Sequence, residues 1–484
     1  MTELYSCVDV GTTRVKLNVY DEELNRRYAE SVHIPLEQGT QDPQQLFQVV
    51  KHLLERGRDE GARSAGLATY RASPVAWDRE GRPLTPVVTW MDPSTELVWR
   101  ELPEWKKLMG RIRPLDLVIS PNSPIMRFLK VKGLEKEGTK DKMVWTIDSY
   151  LAYRLTGRFV SDVTNACTTG IINPKSLEPI ELLKSLFGIN QDTPELIENA
   201  ETIGTFEGIE LNCLVADQQA AAIAEGVIEP GVAKVTNGTG TFVDIPTREY
   251  TRRDDLIPVV LLRHKGASYY GLEGYLPTTG VAVDRMISMG LIKDYTQLEA
   301  GGNGEEDVFF MPSLAGLVIP KLPHVKGAIY GLGLETDSAK MVSGLLDSIA
   351  FFVRLVIERS KEKLSYLRVN GGLSGSDRLC KKISAATGLV VERNRDLEAT
   401  SRGVALLQML CKGRTDIKGI RDISKPVRYE SQDDRGGGGK GSEFVRGQKS
   451  DIFIDKSQDV ERRYLKWLNR INWLKSLKKY SPEE

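Results

Sequence analysis

Histidine and cysteine are scarce in this chain, with four His and five Cys in 484 residues. His33, His52, His264 and His324 stand apart, none at the short spacing by which two side chains share an ion, which argues against a histidine-built metal site or nucleophile triad. Cys7, Cys167, Cys213, Cys380 and Cys411 are odd in number, scattered and without a Cys-x-x-Cys pair. They read as buried free thiols in a reducing cytoplasm, with neither a disulfide frame nor a zinc site. Charge of one sign is also missing: 66 Lys and Arg balance 66 Asp and Glu. No global field therefore favours nucleic acid or a membrane surface. No apolar run reaches the roughly 18 residues of a membrane span, and the first residues lack the basic-then-apolar pattern of a signal peptide. The chain is expected to be cytoplasmic and to be long enough for two domains with sizeable cores.

What is present centres on Leu214 to Phe242, LVADQQAAAIAEGVIEPGVAKVTNGTGTF. A short apolar run ends at Asp217, and small helix-favouring residues follow, so an acid stands at a helix mouth. Glu229-Pro230-Gly231 breaks the chain. Val232 to Val235 then leads into Asn237-Gly238-Thr239-Gly240-Thr241, a hairpin-like turn. Glycine there lets backbone amides approach an anion, and threonine adds hydroxyl donors. Taken singly, Asp217 reads as an ordinary N-cap and the glycine turn as a plain hairpin. Leu4 to Tyr20, LYSCVDVGTTRVKLNVY, repeats the pattern: apolar strand, Asp9, Gly11-Thr12-Thr13, and an alternating strand. Two such hairpins, one in each half, suggest a duplicated architecture with a nucleotide between the halves.

Elsewhere the periodicity predicts an amphipathic helix over Asp42 to Arg58, a strand from Ser64 to Thr69 leading to Arg71, and a helix from Asp148 to Leu155 stopped by Gly157. Asp162, Thr164 and Asn165 read as a polar turn before a strand at Thr169 to Ile172. Thr278-Thr279-Gly280 opens a helix, Asp337 to Leu364 is a long core helix, and Asn370-Gly371-Gly372 joins a strand to a helix. Arg435 to Ser442, RGGGGKGS, has Gly441 after its lysine and no flanking strand or helix evident, so residues 425–451 read as a flexible insertion.

DVGTT at Asp9 to Thr13, DQQAAA at Asp217 to Ala222, NGTGTF at Asn237 to Phe242, YGLEG at Tyr270 to Gly274, GLVIPKLPHVKGAIYGL at Gly316 to Leu332 and LRVNGGLSGSDRL at Leu367 to Leu379 occur in this order. In that combination the chain resembles the FGGY carbohydrate kinases, and most closely their glycerol kinase branch. The resemblance implies an α/β fold of two RNase-H-like domains, of the actin- and hexokinase-type ATPases, closing on an inter-domain cleft. Residues 1–228 would form the polyol or sugar side and residues 229–484 the ATP side. It implies ATP and Mg2+ as cofactors, a polyol or sugar substrate and a homo-oligomer, a dimer.

Carried over by position, Asp217 is the general base, and Asp9, with Asp217, faces the magnesium. Gly11, Thr12, Thr13 and Lys16 match the first phosphate turn, and Gly238 and Thr239 the second. Gly280 and Asp284 fall at the ribose and phosphate region, and Gly371, Gly372 and Ser376 at the adenosine region. Arg71, Asp217, Gln218 and Phe242 match the substrate pocket. Two positions there depart from glycerol kinases: Ala72 stands where they have glutamate, and Asn122 where they have tyrosine. Arg14 and Ser343 depart as well. The resemblance thus implies an ATP-dependent kinase of glycerol or a related polyol or sugar; a pentulose kinase, or a nucleotide-binding sensor without transfer, are the alternatives.

Overall fold

The computed structural model describes residues 3–112, 115–121, 123–134, 142–253, 255–299, 307–322, 325–394, 396–423, 442–446, 450–455 and 459–477. Two compact units account for the chain. The first comprises Met1–Ile228, Val259–Tyr270 and Ala399–Ser424; the second comprises Glu229–Pro258, Gly271–Glu398 and Lys425–Glu484. This differs from a single break after residue 228, and the reason is packing of sequence-distant segments. The backbone amides of Lys265 and Gly266 donate to the Glu198 carboxylate, and Gln408 on the segment after Ala399 donates to the carbonyl of Ser6.

The first unit is built on β1 (Leu4–Val10), β2 (Arg14–Asp21), β3 (Arg26–His33) and β4 (Ser64–Thr69). A short parallel pair follows, β5 (Val160–Asp162) and β6 (Glu195–Ile197), and then β7 (Gly204–Phe206) and β8 (Ile209–Ala216). The main sheet is mixed, in the order β7-β8-β4-β1-β2-β3. Its central strands β8, β4 and β1 run parallel, and the registers align Val10, Thr69 and Ala216. Every residue of β4 is buried, as a strand covered on both faces requires.

Helices seal those faces. In α1 (Pro43–Asp59), Asp42 caps the amides of Gln44 and Gln45, Pro43 occupies the first turn, and Leu46, Phe47, Val50, Leu53 and Leu54 form the buried stripe. Helix α2 (Ile147–Thr156) ends at Gly157 as expected. The segment expected as a polar turn is instead α3 (Val163–Thr168), capped by Asp162, and no strand forms at Thr169–Ile172. Gly170, at φ +72°, turns the chain there. Helix α4 (Asp217–Ala224) follows β8 directly.

The second unit holds β9 (Val232–Asn237), β10 (Thr241–Thr247) and, from Gly271 onward, β11 (Ala267–Leu276). Helices α5 (Thr279–Ser288) and α6 (Ser338–Ser360) come next, followed by β12 (Tyr366–Asn370), α7 (Asp377–Thr387) and β13 (Val390–Asn394). Helix α8 (Ala399–Cys411) returns to the first unit. Within it, buried Arg402 Nη2 lies 2.7 Å from Glu225, at the carboxyl end of α4.

Strands β14 (Ser442–Arg446) and β15 (Ser450–Asp455) and helix α9 (Val460–Leu477) complete the second unit. Seven strands of an eight-stranded sheet lie in the order β11-β10-β9-β12-β13-β15-β14. Residues 442–446 and 450–451 thus lie in strands, where the composition led us to expect a flexible insertion over 425–451. Phe444-Val445 and Ile452-Phe453-Ile454 are β-favouring runs that the neighbouring glycine tract obscures. Residues 425–441 and 447–449 lie outside the described residues. Both units carry a mixed sheet, in keeping with the expected α/β class. No described helix is long and apolar enough to cross a membrane.

Candidate functional site

In the first unit the aligned ends of β1, β4 and β8 run on into Gly11, Tyr70-Arg71 and Asp217. Ligands of α/β sheets bind at this carboxyl edge, where backbone groups leave the ladder and side chains converge. Asp217 is the first residue of α4, where the amide end of a helix favours a carboxylate. Its Oδ1 accepts from the Gln218 amide at 2.7 Å and lies 3.9 Å from Arg71 Nε. The β1–β2 register sets Asp9 directly opposite Lys16, an oppositely charged cross-strand pair. Gly11 donates to the Arg14 carbonyl at 2.9 Å, closing the turn that carries Thr12 and Thr13. Ala72 is buried, has φ +55°, and its carbonyl accepts from Arg127 Nη1 at 3.0 Å. Asn122 lies outside the described residues.

Sequence reasoning missed two residues that support this edge. Buried Tyr70 donates its hydroxyl to Gln41 Oε1, and Gln41 Nε2 donates to the Thr12 carbonyl at 2.5 Å. The glycine turn is thereby tied to the strand that presents Arg71. A tyrosine closing an otherwise small-residue strand was the available signal.

The second unit gathers Gly238, Thr239, Gly280, Gly371 and Gly372. The β9–β10 turn is closed by Gly238 donating to the Gly240 carbonyl, and Gly280 donates to the Thr239 carbonyl at 2.9 Å. A Cβ on Gly280 would stand 2.4 Å from the Gly238 oxygen, so only glycine allows α5 to meet the turn this closely. Gly371, at φ +86°, needs the left-handed conformation, and it packs on the Asn237 backbone. Asn237 Nδ2 donates to Ser374 Oγ, while Thr241 donates to Asn237 Oδ1. Asn237 and Thr241 belong to the NGTGT turn itself, and their side chains hold it closed from within.

Three other expected positions carry local partners. The Ser376 hydroxyl caps α7 by accepting from the Leu379 amide. Exposed Asp284 accepts from Tyr295 at 2.7 Å. Phe242 stacks on Tyr275 at 5.3 Å between centroids. Ser343 is buried on α6.

Beneath the first unit's edge lies a second pair of acids, both wholly buried, Asp148 and Asp162. Asp148 Oδ2 accepts from Ser161 at 2.5 Å. Burial, and then the charge of Asp162, push the Asp148 pKa up to about 7. Burial raises Asp162 as well, but the donors from Thr164 and Asn165 pull against that and favour its charged form. A raised carboxyl pKa means that the stability Asp148 contributes when protonated is lost as pH climbs from its ordinary 3.8 through about 7. Asp148→Asn, which cannot ionise, is expected to flatten that slope in thermal denaturation scans between pH 5 and 8, giving a higher Tm than the parent at the alkaline end. An unchanged slope would count against a neutral Asp148.

Among the described residues no three His, Cys, Asp or Glu side chains gather as a ready metal cage. Nothing lies within 4 Å of a Cβ built on Gly238 or Gly372, so the backbone there faces open space. Three comparisons with known proteins bear on this arrangement. The N-terminal domain of the FGGY family of carbohydrate kinases matches residues 4–212, and the C-terminal domain of that family matches residues 233–411. An uncharacterized sugar kinase of Archaeoglobus fulgidus is 28% identical, over 97% of this chain and 99% of its own. The glycerol kinase of Thermococcus onnurineus is 29% identical, over 86% of this chain and 92% of its own. The crystal structure of Plasmodium falciparum glycerol kinase with ADP shares the fold, with TM-score 0.81, 21% identity and coverage of 100% and 99% of the two chains. With both family domains matched in order, and two mixed sheets each ending in a glycine-and-threonine turn, the chain belongs to the FGGY family of carbohydrate kinases.

Proposed function

We propose that this kinase transfers the terminal phosphoryl group of ATP to a hydroxyl of glycerol or of a related polyol or small sugar, with Asp217 as general base. The observation that carries the reading is Asp217 on the first turn of α4, with Arg71 Nε 3.9 Å from its carboxylate, at the edge where β1, β4 and β8 end together. Asp217 takes the proton of the attacking hydroxyl, while Arg71 and Gln218 orient the acceptor. Thr12 and Thr13 offer hydroxyls and backbone groups to phosphate oxygens, as do Gly238 and Thr239. Gly371, Gly372 and the backbone at Ser376 lie along adenosine. Phosphoryl transfer needs position and charge neutralisation more than covalent chemistry, so such groups suffice.

Magnesium fits this donor set. The lack of a protein-only cage among the described residues is what an ion held by one or two carboxylates and by substrate phosphates would leave. Asp9, with Asp217, would hold it, and when bound it neutralises phosphate charge.

Acceptor choice turns on Ala72. An uncharacterized sugar kinase and a glycerol kinase each match this chain over nearly its whole length, at 28% and 27% identity, which supports leaving the polyol open. ADP release measured over glycerol, erythritol, xylulose, ribulose and gluconate tests the reading. Tight ATP binding without acceptor-dependent release would replace it with a nucleotide sensor. Ala72→Glu supplies the carboxylate of the glycerol branch. A hydrogen bond to a charged group contributes about 1.5–3 kcal/mol, so the variant's kcat/KM for glycerol relative to the larger acceptors is expected to rise roughly tenfold or more. A ratio unmoved by the substitution would remove residue 72 from the pocket.

A further inference from the structure

The buried charge of Asp162 does something the proposed chemistry has not used. It stands at the end of β5, as the cap of α3, and its two oxygens collect donors from three residues. Oδ1 accepts from the amides of Thr164 and Asn165 at 2.9 and 3.1 Å, from the Thr164 hydroxyl, and from Asn199 Nδ2 at 2.9 Å. Oδ2 accepts from Asn165 Nδ2 at 2.6 Å. Among the described residues these donors meet the charge without a cation.

Each of the three side chains reaches on to a strand end. The Thr164 oxygen accepts from the Ala216 amide at 3.0 Å. Asn165 Nδ2 donates to Thr69 Oγ1 at 3.2 Å, and Asn199 Nδ2 donates to the Leu214 carbonyl at 3.2 Å. Asn199 is itself oriented by the Arg263 amide, which donates to its Oδ1 at 2.9 Å. An ionised carboxylate only accepts, so the Thr164 proton must point at Asp162 and its lone pairs are left for Ala216 and Asn199. The direction of every bond in the cluster follows from one charge.

We propose that Asp162, Thr164, Asn165 and Asn199 are the positioning residues for Arg71 and Asp217, with Thr164 acting on Asp217 through the Ala216 amide. This rests on the reading of Asp217 as the base. Thr69 precedes Arg71 by two residues and Ala216 precedes Asp217 by one, so the anchored atoms are the last fixed points before the site. Apolar packing would serve stability alone at least as well as a buried charge does. What the charge adds is direction, and a displacement of about 1 Å at a reacting group can cost roughly 10²-fold in rate.

Thr164→Val keeps the shape of the side chain but leaves the Ala216 amide buried without its acceptor. The variant is expected to lose about 10- to 100-fold in kcat with little change in the KM for ATP. Hydrogen exchange should quicken at Leu214–Gln218 while the rest of β8 and β4 stays protected, and Thr164→Ser should recover most of the rate. If Thr164→Val does not fold, Thr164→Ala, with room for a bridging water, is read in its place. Turnover close to the parent's overturns the proposal, as does a general loss of protection through the first unit, or a Thr164→Ser no better than Thr164→Val. A parent protein that transfers to no acceptor fails the kinase reading itself, a result visible before any variant is compared.

Discussion

Asp217→Asn is expected to lower phosphoryl transfer by about 10²–10⁴-fold, the usual contribution of a positioned general base, and to leave ATP binding nearly unchanged. The substitution is a clean one at this position. The Gln218 amide donates to Asp217 Oδ1 at 2.7 Å, and an asparagine oxygen accepts that bond equally well. The first turn of α4 therefore keeps its geometry while the side chain loses its ability to take a proton. Arg71 lies close to Asp217, with 14% of its side chain exposed, and it loses part of its electrostatic partner. A weaker grip on the acceptor is thus expected to accompany the fall in kcat, with the nucleotide terms spared. Transfer is read by ADP release under saturating acceptor and binding by calorimetry with ATP alone. Turnover near the parent's would end the assignment of Asp217 as base, whatever the binding data show. Loss of ATP affinity in step with kcat would instead make Asp217 a nucleotide ligand.

Local signals were legible in the sequence wherever one residue type dictates one backbone choice. Asp42 and Pro43 open α1, and the apolar stripe of that helix is the buried one. The passage from a buried strand into small helix formers at Asp217 also survives in the structure, although Asp217 sits inside the first turn and Ala216 takes the cap position. What could not be read was anything settled by contacts distant in sequence. Asp162-Val163-Thr164-Asn165 has the composition of a turn, and becomes a helix because Thr164 and Asn165 are held by Ala216 and Thr69. The Tyr70–Gln41–Thr12 chain of hydrogen bonds joins three segments by side chains alone. Strands β14 and β15 follow a glycine tract, whose composition dominated the reading of 425–451. On the site, the closeness of Arg71 to Asp217, of Gly280 to Gly238 and of Gly371 to Asn237 is visible as geometry.

Gly280→Ala sets two effects of similar size against each other. Alanine in the first turn of α5 gains up to about 1 kcal/mol of helix propensity over glycine. The added methyl, however, would stand 2.4 Å from the Gly238 carbonyl oxygen and 3.2 Å from the Thr239 Cα. Those atoms are backbone, closed into a turn by the Gly238–Gly240 and Gly280–Thr239 hydrogen bonds, so no side chain can swing aside. Overpacking of this kind costs typically 1–3 kcal/mol. For overall stability the two terms partly cancel, and a small fall in Tm is expected. For nucleotide binding nothing cancels, because relief of the clash has to come from moving the turn that presents Gly238 and Thr239. A displaced phosphate turn is expected to raise the Kd for ATP by roughly tenfold or more, since each 1.4 kcal/mol of lost contact is a factor of ten. The acceptor's KM should change far less, because Arg71 and Asp217 belong to the other unit. Calorimetric titration with ATP, beside a thermal melt of the same preparation, separates the two terms. An ATP affinity equal to the parent's would show that the Gly238–Gly240 turn does not hold the nucleotide, and a collapse of Tm would show that the packing cost far exceeds the gain in propensity.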